Sequence, residues 1–353
     1  MLAVAALTGS LFRYRGASWP APLQAFESPA GNSHSNYCVY VGGLTDGLLA
    51  CSYVEALAAE LDKRGWALVQ PVLSSSYAGY GTSSLERDAT ELSELLAHIE
   101  RTRPSVEAFA IVGHSTGCQD AVTLLATAPP AIRRRIRAVA LQAPVSDREA
   151  ATLEGDAPVR EALLATAQAR VASGEGASLL PELHYGFVPM SAARYASLVG
   201  RGGPDDMFSS DFTDAQLVAI LGHMGTEGQR RGRPAALAGK SALTGLCDGS
   251  VGVRAIEPVP DHPGLHTLFA LSECDEHVPH SLDVPALSRR FVAAAGGAAN
   301  GASTYLVPGA NHNLATPETA AADFVAAVGT LLDEATRGRC MSPAVAGAAE
   351  RPE

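Results

Sequence analysis

Residues 108–120, AFAIVGHSTGCQD, decide how this chain folds. The first five form a short apolar run of the kind that becomes a buried strand, and this run leads directly into a turn with glycine at positions 113 and 117. A helical pattern follows from residue 116 to about residue 127, where Pro129 and Pro130 end it. A strand, a tight turn and a helix in this order predict one unit of an α/β fold, in which helices cover a mainly parallel sheet.

The same alternation of strands and helices extends along the chain on both sides of this unit. We expect further strands at residues 1–12, 37–41, 66–73, 136–142, 266–272 and 303–307. We expect helices at residues 48–64, 282–295 and 317–335, and one more that Ser83 and Glu86 cap and whose apolar face contains Leu85, Ala89, Leu92, Leu96 and Ile99. Thr316 is expected to be the N-cap of the last helix, with Pro317 as its first residue.

The alternation is lost between residues 146 and 263. This stretch contains helical pieces such as residues 159–171 among loops rich in glycine and proline, and residues 226–263 are its least regular part. We therefore predict a core formed by residues 1–145 and 264–335, with residues 146–263 inserted as a cap over one end of the sheet. The small and polar residues 336–353 are expected to form a disordered tail.

The turn after the strand fits G-x-S-x-G, the nucleophile elbow of α/β hydrolases. The serine of an elbow has a strained backbone, and the residues two before and two after it must be nearly free of side chains, as Gly113 and Gly117 are. The helix that follows directs its N-terminal amides at the reaction centre, where negative charge develops. A glycine-flanked turn with an idle serine is the alternative, but the strand before it and the helix after it favour Ser115 as a nucleophile.

A serine hydroxyl is a weak nucleophile near neutral pH and needs a base. In α/β hydrolases the triad follows the order Ser, then Asp or Glu, then His. His312 lies in the loop between the last predicted strand and the last predicted helix, so it is the predicted base. His277 and His280 are rivals, but they lie in the loop that should contain the acid. His114 adjoins Ser115 and is interpreted as a packing residue or a substrate contact.

The acid of the triad should follow the strand predicted at residues 266–272. Residues 272–279 read SECDEHVP and contain D-x-x-V-P, a pattern that many α/β hydrolases show at this place. Asp275 is our choice, because a carboxylate there would accept the Nδ1 proton of His312 and stabilise the imidazolium. Glu273 and Glu276 are alternatives, and Asp147 is a more distant candidate.

An oxyanion hole needs two backbone amides. One should come from Thr116, the residue after the nucleophile. The other should come from the turn after an early strand, residues 42–47 with the sequence GGLTDG. We choose Leu44 by its position, with Gly43 as the neighbour most suited to replace it, and an ordinary glycine-rich turn is the alternative.

Polar residues elsewhere suggest weaker candidates for substrate contacts. Ser75, Ser76 and Tyr77 follow a predicted strand and should lie on the same rim as the elbow, together with Gly43 and His114. They could offer hydroxyls to a polar substrate, unless the loop only satisfies its own backbone. The acidic residues 205–211 could bind a cation, although helix capping is the preferred interpretation.

The composition argues against several classes of partner. The 353 residues have a formal net charge of −11, which disfavours nucleic acid, and Arg230, Arg231 and Arg233 are interpreted as a solvated loop. No stretch reaches the ~18 apolar residues of a membrane span, and no basic residue precedes the apolar N-terminal run, so we expect neither membrane binding nor a signal peptide. The six cysteines form no CxxC pair and no metal-ligand spacing with histidine, which predicts reduced thiols, a cytoplasmic location and no metal or other cofactor.

Six segments are similar to patterns of a family of α/β hydrolases from fungi and plants. They are residues 42–47 (GGLTDG), 73–77 (LSSSY), 113–120 (GHSTGCQD), 142–149 (QAPVSDRE), 206–211 (DMFSSD) and 275–279 (DEHVP). That family includes fungal siderophore esterases, which hydrolyse ester bonds of fusarinine-type hydroxamate siderophores inside the cell. The resemblance runs from about residue 10 to residue 335 and departs from the family pattern at residues 226–263. It implies the α/β-hydrolase fold and the same triad.

The sequence therefore predicts a serine hydrolase that cleaves a carboxylic ester of a small molecule through an acyl-enzyme. The resemblance makes a siderophore ester one candidate substrate. Two alternatives stay open: a catalytically silent receptor that uses the same pocket, and a thioesterase or acyltransferase that shares the triad. The sequence makes no prediction of the oligomeric state.

Overall fold

The computed structural model describes residues 6–15, 22–30, 34–103, 105–226 and 264–337. The strands in these ranges are β1 Ser10–Arg13, β2 Gln24–Ser28, β3 Asn36–Val41, β4 Trp66–Val72, β5 Ala108–His114, β6 Ile136–Gln142, β7 Leu179–His184, β8 Val188–Ser191, β9 His266–Ser272 and β10 Ala302–Val307. The helices are α1 Val54–Lys63, α2 Leu85–Thr102, α3 Gly117–Thr127, α4 Pro130–Arg133, α5 Asp147–Ala150, α6 Ala157–Ala172, α7 Ala192–Val199, α8 Asp214–Leu221, α9 Val284–Ala294 and α10 Ala320–Arg337. None of these helices is both long and apolar enough to cross a membrane.

Eight of the described strands form one sheet in the order β1-β2-β4-β3-β5-β6-β9-β10. Neighbouring strands from β4 to β10 are parallel, while β2 is antiparallel to both β1 and β4. The predicted α/β fold with a mostly parallel sheet is therefore confirmed. The chain passes from β3 outwards to β4 and then returns to β5 on the other side of β3, so the carboxyl ends of β3 and β5 border a crevice where ligands bind in such sheets.

Helices cover both faces of the sheet and complete two hydrophobic cores. Alternate residues of β5 enter different cores, Phe109 and Ile111 the first, and Ala110 and Val112 the second. Helices α2, α3, α8 and α9 supply the first core, whereas α1 and α10 supply the second. This packing fixes the carboxyl ends of the central strands, from which the candidate site is built.

The described part of the predicted insertion, residues 146–226, contains helices α5 to α8 and the β7–β8 hairpin. The sequence pattern does not predict the hairpin, because Pro181 interrupts β7 and most residues of β7 are exposed rather than alternately buried. A third small core joins the hairpin to α6 and α7. It contains Tyr80, Ala167, Leu180, Val188, Met190, Ala192, Tyr195 and Leu198. The division into core and cap stays a prediction, and residues 227–263 lie outside the described ranges.

The start of α2 differs from the prediction by one residue. Its N-cap is Ser84, whose side chain accepts a hydrogen bond from the amide of Arg87. Ser83 instead donates from its hydroxyl to Asp88 Oδ1 at 3.1 Å. The predicted capping box of Ser83 and Glu86 is therefore wrong, although the predicted apolar face of this helix is buried.

The last helix starts later than predicted, at Ala320. The amide of Thr316 donates to Asn311 Oδ1 at 3.0 Å, and the amide of Asn311 donates to the carbonyl oxygen of Thr316 at 3.0 Å. This turn holds Thr316 before the helix begins, so Thr316 is not its N-cap and Pro317 is not its first residue. Because α10 ends at Arg337, the predicted tail cannot begin at residue 336, and residues 338–353 lie outside the described ranges.

Near the N-terminus, the observed bounds of other strands and helices also differ from the predicted ones. The first described strand occupies Ser10–Arg13 rather than residues 1–12, of which residues 1–5 are not described. β2 was not expected, since its sequence QAFES gives little apolar signal. Helix α1 begins at Val54 rather than at residue 48, because turns occupy much of the intervening segment.

Candidate active site

The turn between β5 and α3 has the backbone that an elbow requires. Ser115 has a φ of +52°, in the left-handed region that costs a non-glycine residue about 1–3 kcal/mol. Its amide donates to the carbonyl oxygen of Gln142 at 3.0 Å, which ties the turn to the end of β6. A side-chain carbon at Gly113 would lie 2.4 Å from the carbonyl oxygen of Gly117, and one at Gly117 would lie 2.3 Å from that of Val41. Both positions therefore exclude side chains.

His312 and Asp275 lie together in the loops that follow β10 and β9. Nδ1 of His312 lies 2.8 Å from Oδ2 and 3.0 Å from Oδ1 of Asp275, and both residues are buried. The amide of His277 also donates to Asp275 Oδ1, at 2.9 Å. When the carboxylate accepts the Nδ1 proton, Nε2 of His312 is left as the acceptor nitrogen that a general base requires.

The other carboxylates considered for this role make different contacts. Glu276 Oε2 accepts from the backbone amide of His312 at 2.8 Å, and Glu273 Oε2 accepts from the amide of Gly309 at 2.7 Å. Asp147 Oδ2 accepts from Gln119 Nε2 at 2.7 Å. Asp275 is thus the carboxylate that hydrogen-bonds the imidazole, while the two glutamates hold the backbone of the histidine loop.

The turn after β3 lies against the elbow. A side-chain carbon at Gly43 would lie 2.7 Å from Cβ and 3.3 Å from Oγ of Ser115. The Gly43 amide already donates to Asp46 Oδ2 at 2.7 Å. This amide is therefore engaged, so the choice of Leu44 and Thr116 as oxyanion donors stays a prediction that this contact does not oppose. Thr116 is buried directly before α3.

A cleft of about 440 Å³ contains both Ser115 and His312. Gly43, Leu44 and His114 also line it. The insertion adds mostly apolar groups, namely Ala150, Ala151, Tyr185, Phe187, Leu198 and Val199, and Val145 of the core adjoins them. Four carboxyl residues complete much of the wall, namely Asp46, Asp147, Glu154 and Glu276. Burial raises the pKa of Asp147 to about 8, so this carboxyl holds its proton over most of the neutral range.

Of the five predicted substrate contacts, Gly43 and His114 line this cleft, whereas the other three do not. Ser75 and Ser76 line a small neighbouring cavity, and neither they nor Tyr77 are among the described residues of the cleft wall. Ser76 Oγ accepts from the amide of Leu73 at 3.0 Å, which is the local role considered as the alternative. Tyr77 has a φ of +58° and is 53% exposed.

Gln142, at the end of β6, was missed by the sequence analysis and joins several site residues. Its Nε2 donates to the carbonyl oxygen of His312 at 2.9 Å, which makes its Oε1 the acceptor. Oε1 lies 2.6 Å from Nδ1 of His114 and accepts from the hydroxyl of Tyr53 at 3.2 Å. The available signal was that Gln142 is a polar residue at the end of a mostly apolar strand.

Charged residues hold parts of the insertion together, and one of them also contacts the core. Nη1 of Arg194, in α7, donates to both carboxylate oxygens of Asp205 at 2.7 and 2.8 Å, and its Nε donates to the carbonyl oxygen of Tyr80 at 3.0 Å. Arg148 pairs with Asp206 at 3.0 Å. The carboxylates of Asp205 and Asp206, considered above for cation binding, are therefore paired with arginine.

A family model described as "Protein of unknown function (DUF1749)" matches residues 6–332. The chain belongs to this family. A UPF0613 protein of Schizosaccharomyces pombe is 32% identical over 285 residues, which cover 78% of this chain and 80% of that protein. Fusarinine C esterase sidJ of Aspergillus fumigatus is 34% identical over 238 residues, which cover 55% of this chain and 67% of that protein. The predicted family resemblance is thus confirmed.

Solved structures show which fold this DUF1749 protein shares. The siderophore hydrolase EstB from Aspergillus fumigatus is similar with a TM-score of 0.71 and 24% identity, over 95% of this chain and 99% of that one. An alpha/beta hydrolase fold protein of unknown function is similar with a TM-score of 0.64 and 19% identity, over 96% and 99% of the two chains. The predicted α/β-hydrolase fold is therefore confirmed.

Proposed function

We propose that this DUF1749 protein is a serine hydrolase of carboxylic esters that acts through an acyl-enzyme. The observation that supports this most strongly is the strained Ser115 elbow in one cleft with a histidine whose Nδ1 lies 2.8 Å from a buried aspartate. The names of two relatives, fusarinine C esterase and esterase AN6793 of Emericella nidulans, support the same reaction class.

In the proposed mechanism, His312 Nε2 removes the proton of the Ser115 hydroxyl as Oγ attacks the ester carbonyl. The amides of Leu44 and Thr116 donate to the oxyanion that forms, and Asp275 stabilises the imidazolium through Nδ1. His312 then gives its proton to the leaving alcohol. Water, deprotonated by the same imidazole, then attacks the acyl-enzyme. The bond from the acyl carbon to Ser115 Oγ breaks, His312 returns its proton to Oγ, and the acid is released.

For the substrate, we propose a fusarinine-type siderophore ester. The relatives named as a fusarinine C esterase and a siderophore hydrolase support this choice, and a cleft of about 440 Å³ is in the size range of small-molecule sites. Cys38, Cys51, Cys118 and Cys274 carry free thiols among the described residues, which supports a proposed cytoplasmic location.

The proposal is tested by hydrolysis of a fusarinine-type siderophore and of p-nitrophenyl acetate by the wild type, Ser115→Ala and Ser303→Ala. Ser303 is a matched control on β10, where its hydroxyl donates to the carbonyl oxygen of Thr267 at 3.3 Å. We expect both esters to be hydrolysed by the wild type and the control, but not by Ser115→Ala. Turnover of p-nitrophenyl acetate alone would reject the siderophore substrate. Unchanged turnover by folded Ser115→Ala would reject the serine mechanism.

A further inference from the structure

Three side chains of different donor chemistry converge beside Ser115 without a role in the mechanism above. Asp46 lies in the turn after β3, Cys51 in the loop before α1, and His114 at the end of β5. A carboxylate oxygen, the thiol sulfur and an imidazole nitrogen all lie within 4.8 Å of one another. All three residues line the cleft that contains Ser115, so an ion could enter from the cleft.

The hydrogen bonds of Gln142 set the tautomer of His114. Its amide nitrogen donates to the carbonyl oxygen of His312, so its Oε1 is an acceptor and Nδ1 of His114, 2.6 Å away, must be the donor. In the neutral imidazole, Nε2 then has a free lone pair. This nitrogen lies 3.9 Å from Asp46 Oδ2, which is too far for a hydrogen bond between them but close enough for one ion to contact both atoms. A histidine held in this way by a second hydrogen bond is typical of metal ligands.

Cys51 supplies the sulfur ligand of this cluster. Its side chain is buried at the wall of the cleft, where bulk water competes little for the sulfur. Cysteine sulfur is a ligand that zinc and other divalent transition metals accept in proteins.

We propose that Asp46, Cys51 and His114 form a three-ligand site for a divalent transition metal such as Zn²⁺, with the fourth position open to the cleft. Zinc takes this combination of thiolate, imidazole and carboxylate. The thiolate and the carboxylate together balance the charge of the ion, and binding releases the Cys51 thiol proton to water. Zinc–ligand bonds of about 2.0–2.3 Å imply ligand separations of roughly 3.3–3.8 Å, so the cluster must contract by about 1 Å.

Occupancy of this site would inhibit the ester hydrolysis, and this part of the inference depends on the proposed function. The ion would lie in the cleft that the substrate must enter. Asp46 also accepts from the amide of Gly43, whose Cα lies against Ser115, so a ligated Asp46 would displace or stiffen the turn that includes Leu44. The site would thus make the enzyme sensitive to free zinc.

The binding test uses Co²⁺, which accepts the same ligands and reports a bound thiolate by a charge-transfer absorption band. We expect the reduced, metal-free full chain to bind one equivalent with this band, and Zn²⁺ to displace it. Cys51→Ser and His114→Phe should lose the band. A matched control in which Cys247, Cys274 and Cys340 are all replaced by serine should retain it. No saturable band, a band that survives Cys51→Ser in folded protein, or a band that the control lacks would overturn the proposal.

The inhibition test compares the zinc concentration that halves p-nitrophenyl acetate hydrolysis in the wild type and in Cys51→Ser, each relative to its own metal-free rate. Loss of a ligand should raise this concentration by at least about 10–100-fold, which is the loss of metal affinity when only a residue that hydrogen-bonds a ligand is replaced. Equal zinc sensitivity of the two proteins would overturn the inhibitory role. If the chain hydrolysed no ester at all, the proposed function would fail, while the cobalt titration would still decide whether the metal site exists.

Discussion

Gly43→Ala tests whether the turn after β3 positions the nucleophile. The new methyl carbon would lie 2.7 Å from Cβ of Ser115. Carbon atoms in contact prefer about 3.5–4.0 Å, so the turn or the serine must move by roughly 1 Å. A displacement of this size at a reacting group costs about 10²-fold in rate, or about 2.7 kcal/mol of transition-state stabilisation. We expect kcat/KM for p-nitrophenyl acetate to fall by about that factor.

The control for this substitution is Gly174→Ala. Gly174 has a φ of +83° and an added carbon there would meet no atom within 4 Å, so alanine costs only backbone strain, about 1–2 kcal/mol of stability. Its kcat/KM should stay at the wild-type value. A double-mutant cycle with Ser115→Gly measures the clash itself. Because glycine at position 115 has no Cβ, Gly43→Ala should destabilise the Ser115→Gly protein by about 1 kcal/mol less than it destabilises the wild type. A folded Gly43→Ala enzyme with full activity and no such coupling would refute the argument.

Three further substitutions test the site and its surroundings. Ser115→Gly should raise the free energy of unfolding by about 1 kcal/mol, because glycine relieves the strained φ, whereas Ser115→Ala should not; equal values in urea unfolding would contradict this. Asp275→Asn should lower kcat by about 10⁴-fold, as expected when the base loses its orienting acid, with the thermal melt as a folding control. The folded-state pKa of Asp147 is raised from 3.8 to about 8, so the native protein binds the extra proton and loses stability as pH rises between these values. Asp147→Asn should thus gain stability relative to wild type at pH 9 and less at pH 5, and a pH-independent difference would show that Asp147 titrates normally.

The core of the fold could be predicted because its signals are local. The strands at residues 136–142 and 266–272 have the predicted bounds, since each is an apolar run between clear breaks. The start of α10 could not be predicted in this way, because a turn made by Asn311 competes with the capping signal of Thr316. The hairpin β7–β8 was missed for a related reason: its strands are largely exposed, so they lack the alternation that a half-buried strand shows.

The candidate site was also predictable only where its signals are local. Ser115, Asp275 and His312 were selected because each follows a recognisable strand in the expected order, and the structure brings their loops to one cleft. The role of Gln142 was not apparent, since its three hydrogen bonds join residues that lie up to 170 positions away. The cluster of Asp46, Cys51 and His114 has no metal-binding spacing in the sequence, because two loops and a strand end contribute to it. Contacts of this kind depend on strand order, which no local pattern records.

The most direct test of the account is covalent labelling of the full chain with a fluorophosphonate, followed by mass spectrometry of the labelled peptide. The reagent mimics an ester at the moment of attack and requires a serine that a base has activated. We predict one adduct, on Ser115, formed far more slowly in folded His312→Gln and absent in Ser115→Ala. An adduct on another residue, or no adduct on Ser115 in well-folded wild-type protein, would contradict the proposal that this cleft is the active site of a serine hydrolase.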